Sequence, residues 1–448
     1  MTVHTDKLTV VEAFSEFAVE FNTTSLPDEV WHHTKRAVID WYASLYPGLE
    51  TQSVRLLEQA LSEDLDHGTS KLANGRSATA RAAALFNGTA AHAAEIDDSF
   101  REAMYHPGAA TIAAALATAQ AVGANGAQFL RAVVLGYEIS TRIGMAMGRP
   151  HYRYWHNTGT MGSFGAAASA AHLYGLNKAE FANALALAAT FTAGLQQAFK
   201  TETMGKPLHA GRAAEAGVLA AQLAKQGMTS SLDVLEGALG LGHAMSQDVD
   251  WTNVASTLGQ DFHITRLTFK NHIGCGHTFP SIDGALALKD AHGFDASDIE
   301  KVELGVYRPT LDIAGHTNPQ TADEAKFSIN YMVASALAFG SVRLSAFEPE
   351  RLNDPLTRDL VSHVHAHLDP EVDACFPERR AARVVITLKD GRRFERLQPD
   401  RKGDPELPLS DTDLEEKYFE LASPVIGEEM AREQLKKIWT LHNSVSLP

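Results

Sequence analysis

Apolar residues recur at three- and four-residue intervals over most of the chain before about residue 260, the spacing of helices with one buried face. Residues 5–23 place Val10, Val11, Phe14, Phe17, Ala18 and Phe21 on one side. Pro27 then opens a second helix, with Asp28 and Glu29 in its first turn, where the helix dipole favours acids. That helix carries Trp31, Ala37, Val38, Trp41 and Leu45 and stops near Pro47-Gly48. Residues 78–94 are dense in alanine, and small side chains let helices approach closely, so this segment belongs inside a bundle. The same periodicity predicts helices over 109–122, 126–147, 160–174, 178–197 and 213–226. A short helix and a glycine turn are predicted over 228–241.

The period changes near residue 262. Residues 262–269 alternate and are rich in strand formers, and the glycine-bearing loop KNHIGCGH follows over 270–277. Helices are predicted over 280–291 and 322–338, and a strand over 302–307. Residues 383–388 and 392–397 read as strands joined by Lys389-Asp390-Gly391, a hairpin signal. Helical spacing returns over 410–441. The predicted fold is therefore mainly α: a large all-α helical domain formed by both chain ends, with a smaller α+β lid domain inserted. The boundaries are 1–265 for the helical domain, 266–404 for the insertion and 405–448 for C-terminal helices that return to the helical domain. A cleft between the two domains is the natural ligand site.

Composition narrows the partners. The 448 residues are 45 % hydrophobic and 21 % charged, enough for a large core. A formal net charge of −16 argues against nucleic acid and against an anionic membrane surface. The 2 cysteines, Cys275 and Cys375, exclude a disulfide framework and a cluster held by three or four cysteines of this chain. With no basic-then-apolar leader and no long uncharged apolar run, the expectation is a soluble cytoplasmic protein.

Candidate chemistry lies on loops. Residues 157–160, Asn-Thr-Gly-Thr, precede a helix-forming run and read as a helix N-terminus, whose unpaired N–H groups and dipole suit a carboxylate. Thr158, Gly159 and Thr160 are thus candidate substrate contacts, and His156 just upstream can exchange a proton. Glu95, Asp97 and Asp98 end an alanine-rich helix, where the dipole disfavours acids. They read either as a solvated helix end or as a cluster facing His106. Lys206 is held between Gly205 and Pro207, close to His209 and Arg212. The trio His363, His365 and His367 reads as a solvated helix face, and His272, Cys275 and His277 lack a recognisable fourth ligand, so no metal and no cofactor is expected. Dinucleotide, Walker and G-x-S-x-G patterns are absent. What remains suits a small anionic substrate and proton transfer next to a carboxylate, which needs a positioned base and cations or N–H donors for the developing charge. A carboxylate-binding protein without catalysis is the reading from a different class.

The motifs also resemble those of a family. Asn87-Gly88, His92, Asp97-Asp98 and His106-Pro107-Gly108 resemble the first motif of the MmgE/PrpD family. HNTGTMGSFGAAASAAHLYGL resembles its second, GKPLHAGRAAEAGVLAAQLAKQG its third, KNHIGCGHTFPSID its fourth and EAKFSINYMVASAL a fifth, in family order. The resemblance implies a helical domain with a smaller α+β lid, a homodimer, and metal-free chemistry on di- or tricarboxylates. The activity it implies foremost is 2-methylcitrate dehydration, with iminodisuccinate epimerisation and cis-aconitate decarboxylation as alternatives. By motif position it implies His106, His156, Lys206 and His277 as catalytic residues and Glu95 and Ser99 as substrate contacts. Two departures stand out: Glu95-Ile96-Asp97-Asp98-Ser99 replaces the usual Asp-Phe-Asp-Asp-Thr, and one extra residue separates Ser99 from His106.

Overall fold

The computed structural model describes residues 8–21, 23–199 and 203–448. The predicted helix over 5–23 therefore lies partly outside the described residues, at 5–7 and 22, and residues 200–202 lie outside them too. The chain forms two compact units: Met1–Thr268 with Ser410–Pro448, and Phe269–Leu409.

The first unit is a helical bundle. Its centre is built from the helices Ala80–Ala93, Pro107–Val122, Gly126–Tyr152, Asn157–Leu173 and Gly205–Lys225, packed on one another. The alanine-rich sequences explain the closeness. A Cβ at Gly211 would stand 2.0 Å from Thr89 Oγ1 and 2.2 Å from the Leu85 carbonyl oxygen, so only glycine lets Gly205–Lys225 lie this close to Ala80–Ala93. Gly211→Ala is therefore expected to lower stability by about 1–3 kcal/mol, the usual cost of overpacking. Urea denaturation reads it, and an unchanged midpoint would mean that the two helices part freely.

The C-terminal helices Asp411–Ile426 and Glu428–Trp439 pack on Asp28–Leu49. Arg36 and His32 of that long helix both pair with Asp411. Deeper in, Lys417 pairs with Asp40 across fully buried surface. A small antiparallel ribbon, Leu65–Lys71 with Ser77–Ala78, adds strands that the hydropathy pattern does not predict.

The second unit carries a four-stranded sheet in the order Val364–Leu368, Ile299–Val306, Ala382–Leu388, Arg393–Gln398. Its first pair is parallel and the others antiparallel, with Val302 opposite both Val364 and Ile386. Helices Phe279–His292 and Ile329–Phe339 bury their apolar residues with those of Ile299–Val306 and Ala382–Leu388 in one core. Gly391 turns the predicted hairpin at a φ of 87°.

Three sequence expectations are corrected. Residues 262–269 are no strand: His263–Arg266 is a 3₁₀ turn, and only Thr268 pairs, with Ser99. Stacking of His263 on Phe100 at 5.0 Å, and its Nδ1 contact with Thr141 Oγ1 at 2.9 Å, bend the chain there. Residues 228–241 form turns, and the short helix begins later, at Leu241–Met245. His365 and His367 lie on the strand Val364–Leu368, after the helix Pro355–His363 has ended, so the three histidines share no helix face.

Candidate active site

Three helix starts supply the site in the first unit. His106 is the N-cap of Pro107–Val122, which has proline in its first turn. His156 is the N-cap of Asn157–Leu173, and Lys206 lies in the first turn of Gly205–Lys225. A cation in a first turn opposes the helix dipole. Glu95 offsets this, its Oε1 lying 3.1 Å from Lys206 Nζ. The ammonium also lies 5.2 Å from the centre of the Phe199 ring.

Glu95 belongs to the acidic turn that follows Ala80–Ala93, and it adopts a φ of 58°. A non-glycine residue in this left-handed region is uncommon and costs conformational energy. Its neighbours hold the turn at several points. Asp97 Oδ2 lies 2.7 Å from His92 Nδ1, with both side chains buried. The Asp98 carbonyl accepts from His106 Nδ1 at 2.6 Å, so that nitrogen carries the proton. Asp98 Oδ1 accepts from the Gly108 N–H at 3.0 Å and its Oδ2 from Tyr137 Oη at 2.7 Å. Burial, with Asp40 and Asp97 nearby, raises the Asp98 carboxyl to about 8.

Four histidines gather here. The His92 ring is 5.1 Å from His106 and 5.4 Å from His156. His156 Nδ1 lies 3.1 Å from His209 Nδ1, and Phe199 meets the His156 ring edge-on at 4.8 Å. Burial lowers His156 well below the usual histidine range, and the cationic forms of His92, Lys206, His106 and His209 push the same way. His156 is therefore a neutral imidazole near pH 7. His209 is lowered too, first by burial.

The other sequence candidates make the following contacts. Both Asp98 oxygens are occupied and the residue is 3 % exposed, so it holds the His106 loop. Thr160 is buried, and its Oγ1 meets His151 Nε2 at 2.9 Å. Thr158 is buried, and its Oγ1 accepts from the His106 backbone N–H at 3.3 Å. Gly159 is a packing glycine: a Cβ there would meet the Ala193 carbonyl oxygen at 2.4 Å. Arg212 is half exposed and pairs with Glu215 on its own helix. Ser99 exchanges backbone hydrogen bonds with Thr268 at 2.9 and 2.8 Å. His277 belongs to the second unit, where its Nδ1 lies 2.9 Å from Tyr307 Oη and Phe376 stacks on Tyr307 at 4.6 Å. Burial first, then Arg380 and Arg401, lowers His277 to about 4.

The sequence gives His209 no role of its own, and it enters the site through its contact with His156. The available signal for His209 is its three-residue spacing from Lys206, which puts both on one helix face.

Among the described residues, His92, Asp97 and His106 form the one group whose potential ligand atoms all lie within 4.8 Å of one another. The 2.7 Å His92–Asp97 contact and the proton on His106 Nδ1 make this a hydrogen-bonded arrangement, and a cation would have to replace both bonds. Turnover is expected to survive dialysis against EDTA. Loss of activity that one divalent metal restores would assign the trio to a metal instead.

Comparison with known proteins agrees with the motif pattern. A cis-aconitate decarboxylase-like protein of Aspergillus oryzae is 26 % identical over 480 aligned positions, covering 100 % of this chain and 97 % of its own. The cis-aconitate decarboxylase of Mus musculus is 26 % identical, covering 93 % of this chain and 87 % of its own. The 2-methylcitrate dehydratase of Salmonella typhimurium is 31 % identical over 126 residues, 26 % of each chain. The MmgE/PrpD N-terminal domain matches residues 12–253 and the MmgE/PrpD C-terminal domain residues 272–443, so this chain belongs to the MmgE/PrpD family.

Proposed function

We propose that the protein is a metal-free acid–base lyase acting on a small di- or tricarboxylate, and that it removes a proton from the carbon next to a carboxylate. One observation carries this reading: His156 is buried and shares the Phe199 ring with the Lys206 ammonium, and burial lowers its pKa. A neutral imidazole is ready to accept a proton. A nearby ammonium stabilises the negative charge that then develops on the substrate carboxylate.

In the dehydratase-like form, the proton passes to His156, the C–O bond of a β-hydroxyl breaks, and the hydroxyl leaves as water with a proton from an acid such as His106. The second reading is decarboxylation of a cis-aconitate-like substrate, supported by similarity to decarboxylases over nearly the whole chain. There a C–C bond breaks, carbon dioxide leaves, and a protonated group delivers a proton to the carbon that keeps the electron pair. Epimerisation of the iminodisuccinate type uses proton transfer alone. His277 enters the proposal through its family motif, as a proton-transfer group of the second unit. A homodimer is also part of the proposal, to be read by light scattering, as is a cytoplasmic setting; no helix among the described residues is long and apolar enough to cross a membrane.

The test is incubation with 2-methylcitrate, cis-aconitate and iminodisuccinate in deuterium oxide, followed by proton NMR. Elimination, carbon dioxide release and deuterium exchange without net loss each give a distinct product spectrum. Binding by calorimetry with no turnover and no exchange on any of the three would reduce the protein to a carboxylate-binding one.

A further inference from the structure

The acidic turn of the candidate site is reached from the opposite end of the chain. Lys417, on Asp411–Ile426, is fully buried. Its Nζ lies 2.5 Å from Asp40 Oδ1 and donates at 2.9 Å to the carbonyl of Ile96. Ile96 is itself buried, between Glu95, which pairs with Lys206, and Asp97, which pairs with His92. A single ammonium thus ties the C-terminal helix, the Asp28–Leu49 helix and the centre of the turn together.

Docking of the C-terminal helix does not call for this. Its first turn is already held by Arg36 and His32 through Asp411, and its apolar residues Leu414, Tyr418 and Leu421 are buried. Burying an ion pair is costly, and apolar side chains of similar volume commonly hold two helices as well or better. What an apolar residue cannot do is donate to the Ile96 carbonyl. Without a donor, that buried acceptor would lose its bond and the turn its fixed point. The turn needs one, because Glu95 occupies the left-handed region and relaxation there would move both the Glu95 and the Asp97 carboxylates.

We propose that Lys417 is a positioning residue for catalysis: through the Ile96 carbonyl it fixes the turn that sets Glu95 against Lys206, Asp97 against His92 and the Asp98 carbonyl against His106. The inference rests on the acid–base reading of the site given above. It makes the C-terminal segment part of the active-site scaffold.

Two variants test it, Lys417→Met and the charge-balanced Lys417→Met/Asp40→Asn, which avoids leaving a bare buried carboxylate. The first readout needs no substrate: the Nδ1–H resonance of His106 in ¹⁵N-histidine-labelled protein, assigned by its loss in His106→Gln. It reports the bond to the Asp98 carbonyl and is expected to shift in both variants. The second is turnover of whichever of 2-methylcitrate, cis-aconitate and iminodisuccinate the wild type converts. There kcat is expected to fall by about 10- to 10²-fold with KM little changed, the scale of losing sub-ångström positioning. An unmoved resonance in the folded double variant would overturn the inference, as would wild-type kcat in it, since Lys417 would then merely balance charge. A shifted resonance in a protein that converts none of the three substrates would uphold the link from Lys417 to the turn and count against the lyase reading alone.

Discussion

Replacing His156 with glutamine is expected to leave the chain folded and to lower kcat by about 10²- to 10⁴-fold, the range for losing a general acid–base group. The ring is 2 % exposed and packed against His92, His209 and Phe199, so glutamine keeps most of its volume and a polar end in the same place. What it removes is a basic nitrogen. The wild-type pH dependence provides a second check with a definite sign. Burial first, then the positive charge of Lys206 and of the neighbouring histidines when protonated, lowers the His156 pKa well below 6.5, so the imidazole is neutral across the neutral range. Activity is lost only as pH falls through that lowered value, and the acidic limb of kcat/KM therefore lies below pH 6.5. An acidic limb at or above 6.5 would mean that another group is the base. Near wild-type kcat with raised KM in His156→Gln would make His156 a binding residue.

Much of this arrangement is legible in the sequence because helices carry their own markers. Pro107 and the Asn157–Thr160 turn announce two of the three helix starts, and both lie where the spacing places them. Lys206 is flagged by Gly205 and Pro207. The KDG turn marks its hairpin because two strands of matching register flank it. The failures share a cause. At 262–269 the alternation is real, but a strand needs a partner ladder, and the contacts of His263 with Phe100 and Thr141 turn the chain instead. At 363–367 the reverse holds: the sequence looks helical, and parallel pairing with Ile299–Val306 makes it a strand.

Side-chain direction is the other blind spot. Thr158, Gly159 and Thr160 look like an open anion-binding turn, yet all three are fully buried in helix packing. Asp98 is read only as part of an acidic cluster, because its contacts with Tyr137, far away in sequence, and Gly108, just past a proline, show in the fold alone. The acidic residues after Ala80–Ala93 were ambiguous between a solvated helix end and a functional cluster. Burial of Asp97 and Asp98, against the half-exposed Glu95, divides them into two that hold the loop and one that faces Lys206. No local pattern foretells Lys417 and Asp40, because 377 residues separate them.

Lys206→Met is the second large effect, expected to weaken substrate binding and to lower kcat by about 10²-fold or more, by analogy with removing one oxyanion-stabilising donor. In the free protein the ammonium is paired with Glu95 and the side chain is 17 % exposed, so methionine keeps most of its buried volume. The Glu95 side chain is 46 % exposed, so its carboxylate stays within reach of water in the variant and folding survives. A substrate carboxylate must compete with Glu95 for this ammonium, which is the binding part of the loss. The kcat part arises because the charge on the substrate grows as the proton leaves, and an interaction that strengthens only then lowers the barrier. Arginine is expected to be impaired as well, since a planar fork does not replace a compact point charge beside Glu95. Comparing kcat and KM for Lys206→Met and Lys206→Arg on the substrate identified by NMR decides the matter. Full kcat/KM in Lys206→Met would place Lys206 outside the chemistry and leave its pair with Glu95 a purely structural contact.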